Sequence, residues 1–281
     1  MMKLIAIDLD GTLLSTKHQI SEENKAAIKK VQDANHIVAI STGRAFHDTL
    51  AILKEAELDC PIITGNGSIS YHQTKMIRSL MIPAEGLQEL VTILDDHQLY
   101  YEIYGSEGLY FLANGQEILT KEMNQGSDLS REFCQYIMER QYKQQGWNYL
   151  EAKSSEYLST LAVYKIYCYS FNPEKLAGGQ EILAKREDFS VIVSEKNSFE
   201  IVNKQSNKGA ALVHLAKHLK IPQAQTVAIG DNYNDLSMFQ VAGISVSMGN
   251  ATQEIKNQST YTSKSNDEHG VAHALKTYVL S

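Results

Sequence analysis

Residues 3–12 read KLIAIDLDGT, an apolar run that ends abruptly in two aspartates and a glycine. The run 3–8 has the length and the Ile and Leu content of a buried strand. In an open α/β sheet, ligands bind beyond the carboxyl ends of the strands, so Asp8 and Asp10 emerge where a site is expected. Gly11 permits a sharp departure of the chain after them. This stretch therefore predicts an α/β sheet with an acidic site at its edge.

Strands and helices alternate at both ends of the chain. Further apolar, strand-like runs occupy residues 37–41, 61–64, 225–230 and 244–248. Helical patterns follow Ser21, which is a good N-cap before Glu22 and Glu23, and cover about 44–56, 207–220 and 235–242. Uncharged strands that alternate with helices imply a parallel sheet covered on both faces. Each crossover is expected to be right-handed.

The middle of the chain, residues 84–203, has a different pattern. It contains two helical segments, several strand-like runs and eleven of the fifteen tyrosines. This composition favours a separate, partly antiparallel α+β domain inserted into the first. We therefore expect a catalytic core of residues 1–83 and 204–281 and an inserted domain of residues 84–203. Residues 114–160 carry no pattern that we can assign.

A second acidic motif, GDNYND at residues 230–235, follows another apolar strand. It adds two carboxylates and two amides at the end of that strand. Taken alone, it is typical of a turn in which Asp231 caps a helix. Taken with Asp8 and Asp10, it predicts four converging carboxylates. Such a group repels itself unless a hard cation with oxygen ligands neutralises it.

Two weaker motifs contain groups that suit a phosphate. Residues 41–44 (STGR) join a strand to a helix, and a hydroxyl beside backbone N–H groups at a helix N-terminus forms a phosphate cradle. Any helix favours Ser or Thr at this position, so the fragment is weak evidence on its own. Lys208 stands at the start of a helix, where its charge opposes the helix dipole. That placement suggests that the Lys208 side chain interacts with groups outside its helix, such as Asp8 and a phosphate.

Together these motifs resemble the haloacid dehalogenase superfamily, and within it the Cof-type phosphatases. The matching pieces span nearly the whole chain: DLDGTLL at 8–14, TGR at 42–44, GNG at 65–67, NKG with Lys208, GDNYND at 230–235, MGNA at 248–251 and HGVAHAL at 269–275. The resemblance implies an α/β fold with a Rossmann-like parallel-sheet core, a cap domain inserted after the third strand, and Mg²⁺ as cofactor. Relatives commonly carry Pro and Gly before the lysine and Ala in place of Ser41, but neither departure removes a group that the chemistry needs. Substrate choice in this family depends on the cap, so the resemblance does not indicate which substrate this chain uses.

The resemblance and the chemistry together suggest roles for individual residues. Asp8 is expected to attack phosphorus and form an aspartyl phosphate, while Asp10 protonates the leaving oxygen and then activates water. The expected ligands of Mg²⁺ are Asp8, the backbone carbonyl of Asp10, and Asp231, with Asp235 nearby. The groups expected to bind the phosphate oxygens are Thr42, Lys208, Asn234 and the N–H groups of Leu9 and Gly43. Asn66 and Arg44 are supporting candidates.

The expected function is hydrolysis of small phosphorylated metabolites, such as sugar phosphates. A phosphomutase or phosphotransferase on the same core is the first alternative. A phospho-accepting regulatory module is the second, and Asp10 argues against it. Such a module needs a long-lived phospho-aspartate, not a neighbouring group placed to hydrolyse it.

Composition narrows the class of protein. The 281 residues, 43% hydrophobic and 21% charged, suffice for one large or two modest globular domains. A net charge of −7 argues against a nucleic-acid partner. No apolar run is long enough to cross a membrane, and three cysteines without C-x-x-C spacing predict neither disulfides nor structural zinc. Without a secretory segment, the chain is expected to be cytoplasmic; its oligomeric state is not indicated.

His214 and His218 lie one helical turn apart, a spacing that can chelate a metal ion. A solvated or packed helix face is the more common role for such a pair. We therefore assign them no function from the sequence.

Overall fold

The computed structural model describes three stretches of the chain, residues 1–126, 129–142 and 147–280. The chain divides into two compact units, Met1–Ser79 with Ser206–Ser281, and Leu80–Gln205. The predicted insert, residues 84–203, falls inside the second unit. In the described stretches, no helix combines the length and the apolar character needed to cross a bilayer.

The secondary-structure elements of the described residues are numbered here in chain order. The strands are β1 (Leu4–Ile7), β2 (Ile37–Ser41), β3 (Ile62–Thr64), β4 (Ile69–His72), β5 (Lys75–Ser79), β6 (Tyr100–Gly105), β7 (Gly108–Phe111), β8 (Trp147–Tyr149), β9 (Val163–Tyr169), β10 (Phe189–Glu195), β11 (Ser198–Asn203), β12 (Thr226–Gly230), β13 (Ile244–Ser247) and β14 (Tyr261–Thr262). The α-helices are α1 (Glu22–Asp33), α2 (Phe46–Glu55), α3 (Ala84–Asp96), α4 (Gly115–Gly126), α5 (Arg131–Tyr142), α6 (Ser155–Thr160), α7 (Pro173–Ala184), α8 (Lys208–His218), α9 (Leu236–Val241), α10 (Gln253–Lys256) and α11 (Gly270–Ala274).

The first unit is built on an eight-stranded sheet in the order β14-β13-β12-β1-β2-β3-β4-β5. The six strands from β14 to β3 are parallel, which confirms the predicted Rossmann-like core. The expectation of a wholly parallel sheet is wrong at one edge, where β4 and β5 form an antiparallel hairpin. Only four residues separate β3 from β4, whereas a parallel crossover needs about a dozen or more. The second unit begins at Leu80, after β5.

Strand β1 is buried on both faces, which explains its unbroken apolar sequence. Ile5 and Ile7 pack in a core that includes residues of α1 and α11. Leu4 and Ala6 pack in a second core that includes residues of α8 and α9. All four side chains have no exposed surface. The central strand is therefore covered by helices on both sides, and Asp8 follows directly at its carboxyl end.

Two helix starts show how local sequence sets the boundaries. Helix α1 begins after Ser21, whose Oγ accepts a hydrogen bond from the Asn24 N–H at 3.3 Å, so the predicted N-cap is confirmed. Helix α2 begins at Phe46 and not at Arg44 as predicted, because Ala45 has an extended backbone. Arg44 therefore lies in the loop between β2 and α2.

The second unit contains a six-stranded sheet in the order β10-β11-β9-β6-β7-β8. Its pairs are antiparallel except for β7 with β8. One face packs against α3 and α7 in an apolar core. Buried charged groups lie elsewhere on this sheet: Glu102 accepts hydrogen bonds from the hydroxyls of Tyr100 and Tyr104, and Lys165 pairs with Glu200 at 3.0 Å. Helices α4, α5 and α6 occupy much of the stretch that the sequence left unassigned.

We expect the first unit to fold without the second. Ser79 pairs with Ile69 on β4, and the Oγ of Ser206 lies 3.0 Å from the Oγ of Ser68, so the two ends of the excision are neighbours. A short Gly/Ser linker in place of Leu80–Gln205 should therefore close the chain at little entropic cost. Circular dichroism should show one cooperative thermal transition for the shortened protein, with the full chain melted in parallel as control. A shortened protein that melts without cooperativity would contradict the division.

Candidate active site

Three carboxylates meet at the carboxyl ends of two neighbouring parallel strands. Asp8 follows β1, while Asp231 and Asp235 follow β12, which pairs with β1. One oxygen from each of the three lies within 4.8 Å of the others. Among the described residues, no other group of three or more acidic, His or Cys side chains has this spacing. Pairing of adjacent strands thus brings together motifs from opposite ends of the sequence.

Lys208, the first residue of α8, lies within this acidic cluster. Its Nζ donates to Oδ1 of Asp8 at 2.7 Å and to Oδ1 of Asp235 at 2.6 Å, and its side chain is 1% exposed. Burial alone lowers the pKa of an ammonium, but the charges of Asp235 and Asp8 outweigh it and raise the pKa of Lys208. The lysine is therefore held in its charged form. The sequence led us to expect the contact with Asp8 but not the contact with Asp235.

Asp235 anchors the loop that follows β12. Its side chain is fully buried, and its Oδ2 accepts hydrogen bonds from the N–H groups of Asp231 and Asn232 at 2.9 and 3.0 Å. Gly230 permits this arrangement, since a Cβ there would lie 2.4 Å from Cγ of Asp235. Because its other oxygen binds Lys208, Asp235 has little capacity left for a further ligand. The sequence-based alternative, in which Asp231 is the N-cap, is wrong, because Asn232 caps the turn after β12.

The two remaining carboxyls of the cluster have raised pKa values. Burial, with the charge of Asp235, raises the pKa of Asp231 to about 6, although a 2.6 Å hydrogen bond from Thr12 Oγ1 opposes the shift. Burial also raises the pKa of Asp8 well above its usual value, and Lys208 compensates only in part. Burial is the main cause of both shifts, and it favours the protonated carboxyls unless further positive charge offsets it. A cation bound beside Asp8 and Asp231 would favour their ionised forms.

The turn Leu9–Leu13, which opens with the buried Leu9, carries the chain away from the cluster. Gly11 adopts a φ of 74°, and a Cβ there would lie 2.4 Å from Oδ2 of Asp231. Asn250 Nδ2 donates to the Gly11 carbonyl at 2.9 Å, and Asn250 Oδ1 accepts from the Asn266 N–H at 3.0 Å. Sequence reasoning missed this function of Asn250, which stood only inside a matched motif. A turn asparagine gives no sign in the sequence of the distant carbonyl that it binds.

Asp10 lies outside the cluster of three carboxylates. Its two oxygens accept hydrogen bonds from Nε and Nη2 of Arg44 at 2.8 and 2.7 Å, and Arg44 Nη1 also binds Asp48 at 2.7 Å. The expectation of four converging carboxylates is therefore wrong. The planar guanidinium matches both oxygens of one carboxylate, so it orients Asp10 as well as neutralising it. The sequence named Arg44 as a supporting residue without indicating its partner.

Three of the other predicted site residues belong to one hydrogen-bonded network. Thr42, at the end of β2, is buried, its Oγ1 accepts from the Arg44 N–H at 3.1 Å, and its carbonyl accepts from the Asn66 N–H at 3.1 Å. Asn66 Oδ1 accepts from Nδ2 of Asn234 at 3.1 Å. Gly43 lies against Asn66, where a Cβ would be 3.1 Å from the amide nitrogen. The loops after β2, β3 and β12 are thus tied together by their polar groups.

This chain matches the model of one protein family, described as haloacid dehalogenase-like hydrolase, over residues 5–275. It belongs to that family. It is 36% identical to the phosphatase YwpJ of Bacillus subtilis, over 98% of this chain and 99% of that protein. It is 38% identical to YwtE of the same organism, named a 5-amino-6-(5-phospho-D-ribitylamino)uracil phosphatase, over 98% and 97% of the two chains. A solved haloacid dehalogenase-like hydrolase from B. subtilis matches with a TM-score of 0.84 at 34% identity, covering 99% of this chain and 100% of that one.

These similarities confirm the predicted superfamily and the predicted class of enzyme. This haloacid dehalogenase-like protein is a phosphatase that acts on phosphorylated substrates.

The acidic cluster of this haloacid dehalogenase-like phosphatase fits a divalent cation. Three carboxylates and one ammonium leave two negative charges when all are ionised, and a hard divalent cation prefers carboxylate and carbonyl oxygens. Since Asp235 is already occupied by Lys208 and two backbone N–H groups, Asp8 and Asp231 are the carboxylates with capacity for an ion.

Mg²⁺ should stabilise the folded phosphatase more at pH 8 than at pH 5. The pKa of Asp231 is about 6 in the folded, metal-free protein and 3.8 ordinarily. Between about pH 4 and pH 6, the folded protein therefore holds a proton on Asp231 that the unfolded chain has lost. Its free energy of unfolding therefore falls as pH rises from about 4 through 6. Mg²⁺ competes with that proton, so the gain in Tm from saturating Mg²⁺ over EDTA should grow with pH. Thermal unfolding at pH 5 and pH 8 measures this gain in Tm.

Asp231→Asn is the matched variant for this measurement, because it keeps the shape of the side chain and removes its charge. It should lose most of the gain at pH 8. An equal gain at both pH values in the original protein would contradict the assignment of Asp231 to the cation.

Proposed function

We propose that this phosphatase hydrolyses small phosphorylated metabolites in a Mg²⁺-dependent reaction, through an aspartyl phosphate on Asp8. The observation that carries the proposal is the 2.7 Å contact between Asp8 and the buried Lys208 inside the acidic cluster. A nucleophilic carboxylate must be ionised when the substrate arrives. The ammonium of Lys208, together with a cation, keeps Asp8 ionised although burial raises its pKa.

The residues that would hold Mg²⁺ are Asp8, Asp231 and the backbone carbonyl of Asp10, with Asp235 as their support. When bound, the ion supplies positive charge that offsets the charge of the phosphate. Lys208 adds a fixed positive charge from the protein itself. The non-bridging oxygens would be bound by Lys208, Thr42, Asn234 and the N–H groups of Leu9 and Gly43.

The reaction proceeds in two displacements at phosphorus. In the first, an oxygen of Asp8 forms a bond to phosphorus while the bond to the ester oxygen breaks, and Asp10 gives its proton to the leaving oxygen. In the second, Asp10 takes a proton from water, and the resulting hydroxide displaces Asp8 and releases inorganic phosphate. In the structure both oxygens of Asp10 accept from Arg44, and this contact favours the ionised carboxylate. One of these hydrogen bonds must therefore break before Asp10 carries the proton of the first step, while Asp48 holds the other end of the guanidinium.

A relative with a named substrate suggests the substrate class. YwtE, 38% identical, is named a phosphatase of a phosphorylated ribitylamino-uracil, so a phosphate ester on a polyol that carries a heterocycle is a reasonable first candidate. We propose that the second unit selects among such esters. Its sheet carries Tyr167, which is partly exposed and has the Lys165 ammonium 5.8 Å from its ring centroid, so a substrate ring can stack on this tyrosine. A phosphomutase is distinguished by an isomerised product in place of free phosphate.

Removal of divalent cations should abolish hydrolysis of p-nitrophenyl phosphate. Without a cation, the acidic cluster repels the substrate dianion, so dialysis against EDTA should leave no activity above background. Added Mg²⁺ should restore it. Ca²⁺ should not, because its larger and looser coordination shell misplaces the nucleophile. Full activity in thoroughly chelated protein would exclude the proposed mechanism.

Asp8→Asn and Asp10→Asn should impair different steps of the reaction. Asp8→Asn removes the nucleophile, so it should release no p-nitrophenol. Asp10→Asn removes the proton shuttle, a contribution of about 10²–10⁴ in rate. The p-nitrophenolate departs without needing a proton, whereas the second step still needs a base. Asp10→Asn should therefore release about one p-nitrophenol per site in a rapid burst and then turn over slowly, as stopped-flow absorbance measures.

The matched control is Asp33→Asn, an exposed aspartate at the end of α1, which should leave turnover unchanged. Steady turnover without a burst in Asp10→Asn, at the rate of the original protein, would remove Asp10 from the mechanism. Turnover in Asp8→Asn would remove Asp8 from the mechanism.

A further inference from the structure

Two histidines meet far from the acidic cluster, at the opposite end of α8. Nδ1 of His72, the last residue of β4, lies 3.2 Å from Nε2 of His218, the last residue of α8. The two rings are nearly perpendicular, at 82°, with centroids 5.3 Å apart. Lys208 is the first residue of the same helix, so about 15 Å of helix separates this histidine pair from the cluster.

The distance between the two nitrogens suits a shared metal ion. Zinc binds imidazole nitrogen at about 2.0–2.1 Å, and at a tetrahedral angle two such nitrogens are about 3.3–3.4 Å apart. The observed 3.2 Å differs from this value by less than ordinary side-chain movement. Both residues retain some exposure to solvent, so water can complete the coordination.

The charges around the histidine pair act on a cation in both directions. His218 lies in the last turn of α8, where unpaired carbonyls form the negative end of the helix dipole. Two positive side chains are near. Arg78 donates its Nε hydrogen to the Gly67 carbonyl at 3.1 Å, and Lys217 is exposed and screened by solvent. Burial and these charges lower the pKa of the neighbouring His214, which keeps that imidazole neutral.

We propose that His72 and His218 form a binding site for a transition-metal ion of the Zn²⁺, Ni²⁺ and Cu²⁺ class. Imidazole nitrogen favours these ions over Mg²⁺, whereas the acidic cluster offers oxygen ligands. The protein thus has two cation sites of different chemistry. An ion at the histidine pair joins β4 to the C-terminal end of the helix whose other end carries Lys208.

The partner of His218 is therefore not the one that helical spacing indicates. The sequence places His214 one turn before His218, but Nδ1 of His214 is buried and has no hydrogen-bond partner among the described residues. His72 comes from a strand far away in the sequence. Only the fold brings it to His218.

Electron paramagnetic resonance of the full-length protein with one equivalent of Cu²⁺ tests the site directly, with excess Mg²⁺ present to occupy the acidic cluster. We expect superhyperfine splitting of the Cu²⁺ signal by two nitrogen ligands. His72→Gln and His218→Gln should each weaken Cu²⁺ binding at least tenfold and abolish the two-nitrogen pattern. His18→Asn, at an exposed loop position with a φ of 56° that Asn tolerates, is the matched control and should keep both.

Thermal unfolding gives a second and independent measurement. With excess Mg²⁺ again present to occupy the acidic cluster, Zn²⁺ should further raise the Tm of the original protein and of His18→Asn, but not that of His72→Gln or His218→Gln. If both Gln variants lower the Tm without changing the affinity for Cu²⁺, the pair is a hydrogen bond between imidazoles and the proposal is wrong. A Cu²⁺ spectrum with oxygen ligands alone would also overturn it.

Discussion

The buried ammonium of Lys208, shared between Asp8 and Asp235, is the interaction on which the rest of the site depends. It joins the ends of β1 and β12 to the start of α8, three elements that are distant in the sequence. Removal of one partner from a buried ion pair typically costs about 3–5 kcal/mol, because the other charge is left without compensation. Lys208 is therefore as much a structural residue as a candidate ligand of phosphate.

One lysine does not balance three carboxylates. Burial, together with the charges of the neighbouring carboxylates, raises the pKa of Asp231 to about 6 and the pKa of Asp8 well above its ordinary value. A protein selected for stability alone would not collect carboxylates at the end of its central strands. A phosphatase that binds a cation and a phosphate there gains from this arrangement, because the site is built before the ligands arrive and needs little rearrangement to bind them.

The sequence predicted the features that depend on local pattern and on general rules of topology. Strand β1 was recognised because both of its faces are buried and its residues are therefore all apolar, and the site was located because acids follow two such strands. The β4–β5 hairpin was missed because β4 mixes apolar with polar residues and β5 is largely exposed, so neither strand has that unbroken apolar pattern. The pairing of Asp10 with Arg44 could not be predicted, since it depends on where the β2–α2 loop directs one long side chain. Asn250 and the His72–His218 contact were missed for the same reason: their partners are set by the fold and not by spacing along the chain.

The central claim is that Asp8 becomes phosphorylated during turnover, and chemical trapping tests it most directly. The original protein is quenched rapidly during turnover of p-nitrophenyl phosphate and treated with borohydride, which reduces an aspartyl phosphate to homoserine. Mass spectrometry of the peptides then identifies the modified position. The account predicts homoserine at position 8 and at no other carboxylate. Reduction at Asp10 or Asp231, with Asp8 intact, would contradict it.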